Sequence, residues 1–363
     1  MALRTTRGDP GGPTKGRGAT SNLEGRYETW RRESVDDGWQ REDGELPRLR
    51  TVVAPETAKS IIARNDSPDI PFDQSINPYR GCEHGCVYCY ARPTHGYLGL
   101  SPGLDFETRI FAKTNAAVLL RKELAAPGYR PSAIALGANT DPYQPAEREL
   151  RITRSILEVL AECAHPFTIV TKNALVERDV DLIAPMAAKR MAHAYVSVTN
   201  LDAGLARKLE PRASAPHRRL EAVRRLASAG IPVGVIVAPV IPFITDRYME
   251  EILERARDAG ATSAGYIVLR LPLEVAPLFK EWLATHHPLK ADHVMSLVRQ
   301  MRGGKDYESG FGVRQSGTGN FAALIARRFE LACERLGLNR RGREPLDTSR
   351  FRAPGAGPQL DLF

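Results

Sequence analysis

Short apolar runs alternate with longer amphipathic ones along the middle of this chain, and the alternation is regular. Val- and Ile-rich segments suited to strands buried on both faces fall at Gln74–Pro78, Ala133–Leu136, Phe167–Thr171, Ala194–Thr199, Val233–Val240 and Gly265–Leu269. Helical periodicity fills the intervals at Lys113–Ala125, Glu147–Ala164, Val180–Ala188, Pro216–Ala229 and Tyr248–Ala259, and Val275–Thr285 follows the last strand. Six strand–helix units in series predict a parallel sheet with right-handed crossovers, either an open barrel or a doubly wound sheet. Barrels of this kind gather their chemistry at the carboxyl ends of the strands.

The flanks lack this pattern. Residues up to about Arg50 are rich in Gly, Pro, Arg and Asp, and Gly11-Gly-Pro-Thr-Lys-Gly-Arg-Gly18 is expected to be mobile because burial cannot offset its ordering entropy. Arg26 to Arg32, with Tyr27 and Trp30, either packs on the main domain or touches a nucleic-acid backbone. The predicted organisation is a flexible basic extension over residues 1–58, a core over 68–289, a helical extension over 290–338 and a disordered tail over 339–363. Gly310 to Gly319 is Gly-rich, but no strand precedes it, so it reads as a connector rather than a phosphate cradle.

Composition narrows the class. The chain has 363 residues, enough for one large α/β domain with extensions, and no apolar run approaches the ~20 residues that span a bilayer. No apolar leader is present at the start, so a cytoplasmic location is expected, with no membrane partner. A formal net charge of +8 permits an anionic partner such as nucleic acid without demanding one.

The sharpest chemical signal is Cys82-Glu-His-Gly-Cys86-Val-Tyr-Cys89, a C-x3-C-x2-C loop directly after the first predicted strand. Three thiolates can hold three irons of a [4Fe–4S] cube and leave the fourth open, where the amino and carboxylate groups of S-adenosylmethionine would fit. The alternatives are a zinc ion with His84 or His95 as fourth ligand, and unremarkable thiols. Cys163 and Cys333 stand alone in helical patterns and read as buried small residues. The other strand ends are polar as the barrel rule requires: Gly137 to Glu147, Thr171-Lys172-Asn173, Ser197 with Thr199, Asn200 and Asp202, then Arg270. Lys172 there is either placed to neutralise a ligand carboxylate or is a plain surface cation.

Three stretches then carry a resemblance: Asn77-Pro-Tyr-Arg-Gly-Cys82 through Tyr90, Thr140-Asp-Pro-Tyr-Gln-Pro-Ala-Glu147, and Thr171-Lys172 followed by Ser197. Over roughly Phe72 to Leu271 the chain resembles the radical SAM superfamily and, within it, the spore-photoproduct-lyase-like group of DNA-repair-photolyase-like proteins. The resemblance implies a partial (β/α)6 TIM-like barrel with the cluster at its mouth. It implies that Cys82, Cys86 and Cys89 ligate the cluster, that Tyr88 and Tyr90 border the adenine, that Lys172 meets the S-adenosylmethionine carboxylate and that Ser197 meets the ribose. The turn at Ala138, Asn139 and Thr140 occupies the place that meets the methionine amino group, although the usual Gly-Gly-Glu is missing. Asp141 and Glu147 either hold this turn's shape or contact the ligand.

The implied activity is reductive cleavage of S-adenosylmethionine to a 5′-deoxyadenosyl radical, fed by an external electron donor and directed at nucleic acid in a DNA-repair role. The same chemistry on RNA, a small metabolite or a peptide is the alternative, as is a non-catalytic metal-binding protein associated with nucleic acid. One departure stands out: lyases of the spore lesion keep a hydrogen-donating cysteine near the end of the second strand, and Ala135-Leu-Gly-Ala-Asn139 has none. Finally, Gln359-Leu-Asp-Leu-Phe363 resembles the peptide by which bacterial repair proteins dock on the DNA sliding clamp, with docking on the chain's own core as the other reading.

Overall fold

The computed structural model describes residues 14–28, 49–340 and 345–355. Its strands are β1 (Val52–Glu56), β2 (Ile62–Arg64), β3 (Gln74–Ile76), β4 (Tyr79–Arg80), β5 (Arg109–Lys113), β6 (Ile134–Leu136), β7 (Phe167–Thr171), β8 (Ala192–Ser197), β9 (Val233–Val240) and β10 (Ser263–Val268). The main sheet runs β2-β3-β6-β7-β8-β9-β10. From β3 onward every pairing is parallel and follows chain order, whereas β2 pairs antiparallel with β3. A doubly wound sheet would reverse its order part-way. The unbroken order is that of a partial barrel, and β2 and β10 do not pair, so it stays open.

The helices are α1 (Leu104–Thr108), α2 (Ala116–Leu124), α3 (Glu147–Leu150), α4 (Ile152–Glu162), α5 (Val180–Ala187), α6 (Ala203–Leu209), α7 (Pro216–Ser228), α8 (Met249–Asp258), α9 (Val275–His286), α10 (Ala291–Gln300) and α11 (Gly319–Leu336). Their apolar stripes, with Ile156, Leu160, Ile183, Val223, Leu226, Ile252 and Leu253, form one core with the sheet. A second apolar cluster joins Cys86, Val87 and Tyr88 to Ile241 and Ile244 after β9 and to Phe279 and Trp282 of α9. The exposed edge of β10 is closed by polar groups rather than by a strand. Asn339 bonds both backbone groups of Ala264, at 2.9 and 3.1 Å, and Val268 N–H donates to Gln315 O at 2.9 Å.

Four expectations change. The single helix expected over Glu147–Ala164 is two, because Arg151 adopts a left-handed φ of 51°. The cause is Glu147, whose buried carboxylate accepts the Thr153 and Arg154 N–H groups at 2.9 and 3.3 Å and so starts α4 afresh. The chain after β3 does not run on as one strand but leaves at Tyr79 to pair with β5 in a separate three-stranded sheet, β1-β5-β4. The described part of the expected mobile extension, residues 14–28, lies on the core, with Arg17, Ala19 and Leu23 buried. The tail is also anchored as far as Arg352: Arg352 N–H donates to Cys163 O at 2.9 Å, and the Phe351 ring packs against Tyr129 and His165 at 5.5 and 5.3 Å. Gln359–Phe363 lies outside the described residues. Among the described residues no helix is long and apolar enough to cross a membrane.

Candidate active site

The cysteine loop leaves β4 at the carboxyl edge of the main sheet. Gly81 and Gly85 adopt φ of 75° and 67°, and a Cβ on Gly85 would stand 2.7 Å from the Glu107 carboxylate, so both turns require glycine. Backbone bonds hold the loop on several sides: Cys82 N–H to Phe106 O at 2.9 Å, Cys89 N–H to Cys86 O at 3.1 Å and Val87 N–H to Leu209 O at 3.1 Å. Side chains complete the grip. Arg92 donates to Cys86 O at 2.9 Å, and Gln144 accepts from Glu83 N–H at 3.0 Å while donating to Gly81 O at 3.2 Å. Arg92 also pairs with Glu107, both fully buried. The remaining capacity of Glu107 is taken by the Gly18 and Ala19 N–H groups at 2.9 and 2.8 Å. Thus residues 14–28 are tied to the back of the cysteine loop. A Cβ on Gly18 would meet Gly85 O at 1.8 Å, which shows how closely the two backbones approach.

Cys82 and Cys86 are each 7% exposed and Cys89 is half-buried. Burial pushes all three thiols above their ordinary range, and a positively charged metal centre would hold them as thiolates. The donor set fits a cube. Among the described residues no three His, Cys, Asp or Glu side chains converge as the ligands of one ion would, and thiolates that each meet a different iron have no need to. Neither histidine considered for zinc joins the cysteines in such a group among the described residues. His84 lies between Asp141, at 3.3 Å from Nδ1, and Asn173, at 3.2 Å from Nε2. His95 bonds Arg109 O through Nε2 at 3.0 Å, and burial holds its pKa down at about 4.

Facing the loop, the ends of β7 and β8 bring Lys172 and Ser197 together. Lys172 Nζ donates to Ser197 Oγ at 2.6 Å, reaches Ala238 O at 3.4 Å and lies 6.0 Å from the centre of the Tyr88 ring. Behind them sits Glu210, which the sequence reading missed. Its buried carboxylate accepts from Tyr88 Oη, from Thr199 Oγ1 at 2.6 Å and from Arg219, and lies 3.7 Å from Lys172 Nζ. Burial would raise its pKa, but Arg219 and Lys172 override that and hold it down at about 2. One carboxylate therefore positions both the tyrosine of the cysteine loop and the lysine opposite. Its sequence context, Leu209-Glu-Pro-Arg212, carries no signal of this.

The turn after β6 is held from inside. Asn77 Oδ1 accepts the Asn139 and Thr140 N–H groups at 2.8 and 3.2 Å, and Thr140 Oγ1 donates to Tyr79 O at 2.9 Å. Thr140 is buried, while Ala138 and Asn139 are half-exposed. Tyr90 Oη donates to Ala138 O, and the Arg270 guanidinium lies 4.8 Å over the Tyr90 ring, so this predicted pair is brought to one place. Asp141 accepts from Thr171 Oγ1 and from Lys172 N–H, each at 2.7 Å, and fastens the turn to the end of β7. Glu147 is fully buried among Tyr79, Thr153 and Arg178. Both carboxylates are thus engaged in holding the turn.

A sequence profile described as the Radical SAM superfamily matches residues 76–256, the stretch that runs from β3 through the cysteine loop to α8. The chain belongs to the radical SAM superfamily. Members use a [4Fe–4S] cluster and S-adenosylmethionine, and these are the cofactors of this chain. An uncharacterised protein of Mycobacterium tuberculosis is 37% identical over 290 residues, 75% of this chain and 85% of its own length. An uncharacterised protein of Methanocaldococcus jannaschii is 26% identical over 213 residues, 59% of this chain and 76% of its own length. Among solved structures, spore photoproduct lyase with bound AdoMet and dinucleoside spore photoproduct superposes with a TM-score of 0.58 at 16% identity, covering 84% of this chain and 88% of that one. At that identity the likeness establishes the shared fold.

Proposed function

We propose that this radical SAM enzyme acts on nucleic acid, with a DNA lesion as its substrate. The observation that carries the proposal is the fold shared along 84% of the chain with a lyase whose solved complexes hold a dinucleoside photoproduct. The net charge of +8 agrees with a polyanionic substrate. Cys82, Cys86 and Cys89 would hold the cluster, and the chemistry it would supply is transfer of one electron from an external donor to S-adenosylmethionine, splitting a C–S bond into methionine and a 5′-deoxyadenosyl radical.

In this reading Lys172, presented by Ser197 and Glu210, takes the S-adenosylmethionine carboxylate, because its ammonium is the cation held at this strand end beside the cysteine loop. Ser197 reaches the ribose, Tyr88 and Tyr90 border the adenine, and the backbone of Ala138, Asn139 and Thr140 faces the amino group. Docking of Gln359–Phe363 on the sliding clamp would bring the enzyme to replicating DNA.

The reaction differs from thiol-assisted lesion reversal. All five cysteines lie in described residues, and the two outside the loop are far from the mouth. Cys163 ends α4 before β7 begins, and Cys333 lies beside Asn339 at the start of β10, both at the amino edge of the sheet. The test is 5′-deoxyadenosine release by the reduced, anaerobic enzyme offered ultraviolet-damaged DNA, undamaged DNA or RNA. Stimulation by damaged DNA is expected. Equal rates with all three and with no polymer would contradict the proposal.

A further inference from the structure

The loops that leave β8 and β9 enclose a hollow of about 250 Å³ that none of the residues assigned above lines. Its wall takes Asp202, the cap of α6, and Lys208 from its last turn, Phe243 and Arg247 from the segment after β9, and His287 and Lys290 from the segment after α9. The charge is lopsided. The Asp202 carboxylate caps α6 by accepting Leu205 N–H at 2.8 Å and its charge is felt by Arg247 and Lys208, but it is one anion among three cations. Lys208, Arg247 and Lys290 are exposed, and none forms a salt bridge with a carboxylate among the described residues. Arg247 is steadied instead by the Tyr248 ring, 4.7 Å from its guanidinium.

Two further groups belong to the wall. His287 Nε2 is buried and has no hydrogen-bond partner. Phe243 packs against the His293 ring at 4.4 Å yet stays 48% exposed, and it sits at a φ of 58°, a left-handed conformation that costs a bulky aromatic residue and points to a use for its position. The place is also telling. Both loops leave the carboxyl ends of their strands, the edge that bears the cysteine loop. Leu205 and Ile244 of the wall pack in the same apolar cluster as Cys86, Val87 and Tyr88.

We propose that this hollow is a phosphodiester subsite that grips the strand flanking the reacting nucleotide. Lys208, Arg247 and Lys290 meet phosphate oxygens, His287 Nε2 supplies a hydrogen bond and Phe243 stacks on a neighbouring base or sugar. The proposal rests on the nucleic-acid reading above and adds where the strand lies. Three cations and an aromatic face suit a strand that carries both phosphates and rings, whereas a free phosphate would use the cations alone.

The test uses reconstituted holoenzyme and a fluorescent single-stranded DNA of a dozen nucleotides, titrated at several salt concentrations. Combined Lys208→Ala, Arg247→Ala and Lys290→Ala should weaken binding at least tenfold and lower the slope of log K against log salt by about 2, the value for three single-strand phosphate contacts. Phe243→Ala should weaken binding about tenfold with the slope unchanged. Iron content and melting temperature report that each variant is folded. Wild-type and triple variant binding DNA alike would overturn the subsite and leave the nucleic-acid reading standing. Failure of wild type to bind any DNA or RNA would overturn both. Inorganic phosphate that raises the melting temperature of wild type but not of the triple variant, without displacing DNA, would show a free anion as the occupant and contradict the proposal.

Discussion

Two neighbouring parts of one sheet edge are built on opposite plans. Around the cysteine loop the buried charges are paired: Arg92 with Glu107, Arg219 with Glu210, Arg178 with Glu147. In the hollow after β9 three cations stand exposed beside a single carboxylate, Asp202. The difference follows from what each part must do. A cofactor that passes electrons needs fixed ligands, and unpaired charge within a low-dielectric site would be costly. A surface that meets a polyanion needs charge not already neutralised from within.

The comparison can be broken from the paired side first. Glu210→Gln leaves the Arg219 guanidinium buried without its counter-charge and should cost about 3–5 kcal/mol in urea unfolding. The sign with pH is definite. Glu210 titrates at about 2 in the folded chain, below the ordinary glutamate value, so its contribution is fully present above that ordinary value and is lost as pH falls through about 2. The gap between wild type and variant should therefore be constant near neutrality and narrow below about pH 4.5. A gap independent of pH down to 3 would contradict the assignment.

Lys172→Met should raise KM for S-adenosylmethionine about 10–100-fold, the loss of one charge-assisted contact, with iron content unchanged. A parallel fall in iron would mean that Lys172 supports the loop rather than the ligand. Gly18→Val has the smallest expected effect. Its Cβ cannot coexist with Gly85 O, so residues 14–28 must lift, and the cluster should bleach in air a few-fold faster while anaerobic assembly persists. Unchanged bleaching would show that this segment is only a cover.

The contrast also marks what was legible in the sequence. β7 and β9 were predicted residue for residue, because Val- and Ile-rich runs buried on both faces have few other ways to fold. The cysteine triplet stands out by its spacing, and Lys172 and Ser197 by their place at strand ends, where the structure joins these two by a 2.6 Å bond. What was missed depends on contacts between distant segments. The break at Arg151 is imposed by Glu147, itself drawn inward by Tyr79 and Arg178. Residues 14–28 look polar and aperiodic, yet backbone N–H groups offered to Glu107 hold them in place, and no hydrophobic pattern records such bonds. Glu210 and Arg219 are nine residues apart with a helix start between, and only the fold shows that they meet.

The most direct test of the central claim is electron paramagnetic resonance on anaerobically reconstituted, reduced protein, before and after S-adenosylmethionine is added. About four irons per chain, a [4Fe–4S] signal and a clear change of that signal on addition are expected, and Cys86→Ser should abolish the change. A colourless zinc protein, or a cluster whose signal ignores S-adenosylmethionine, would contradict the account.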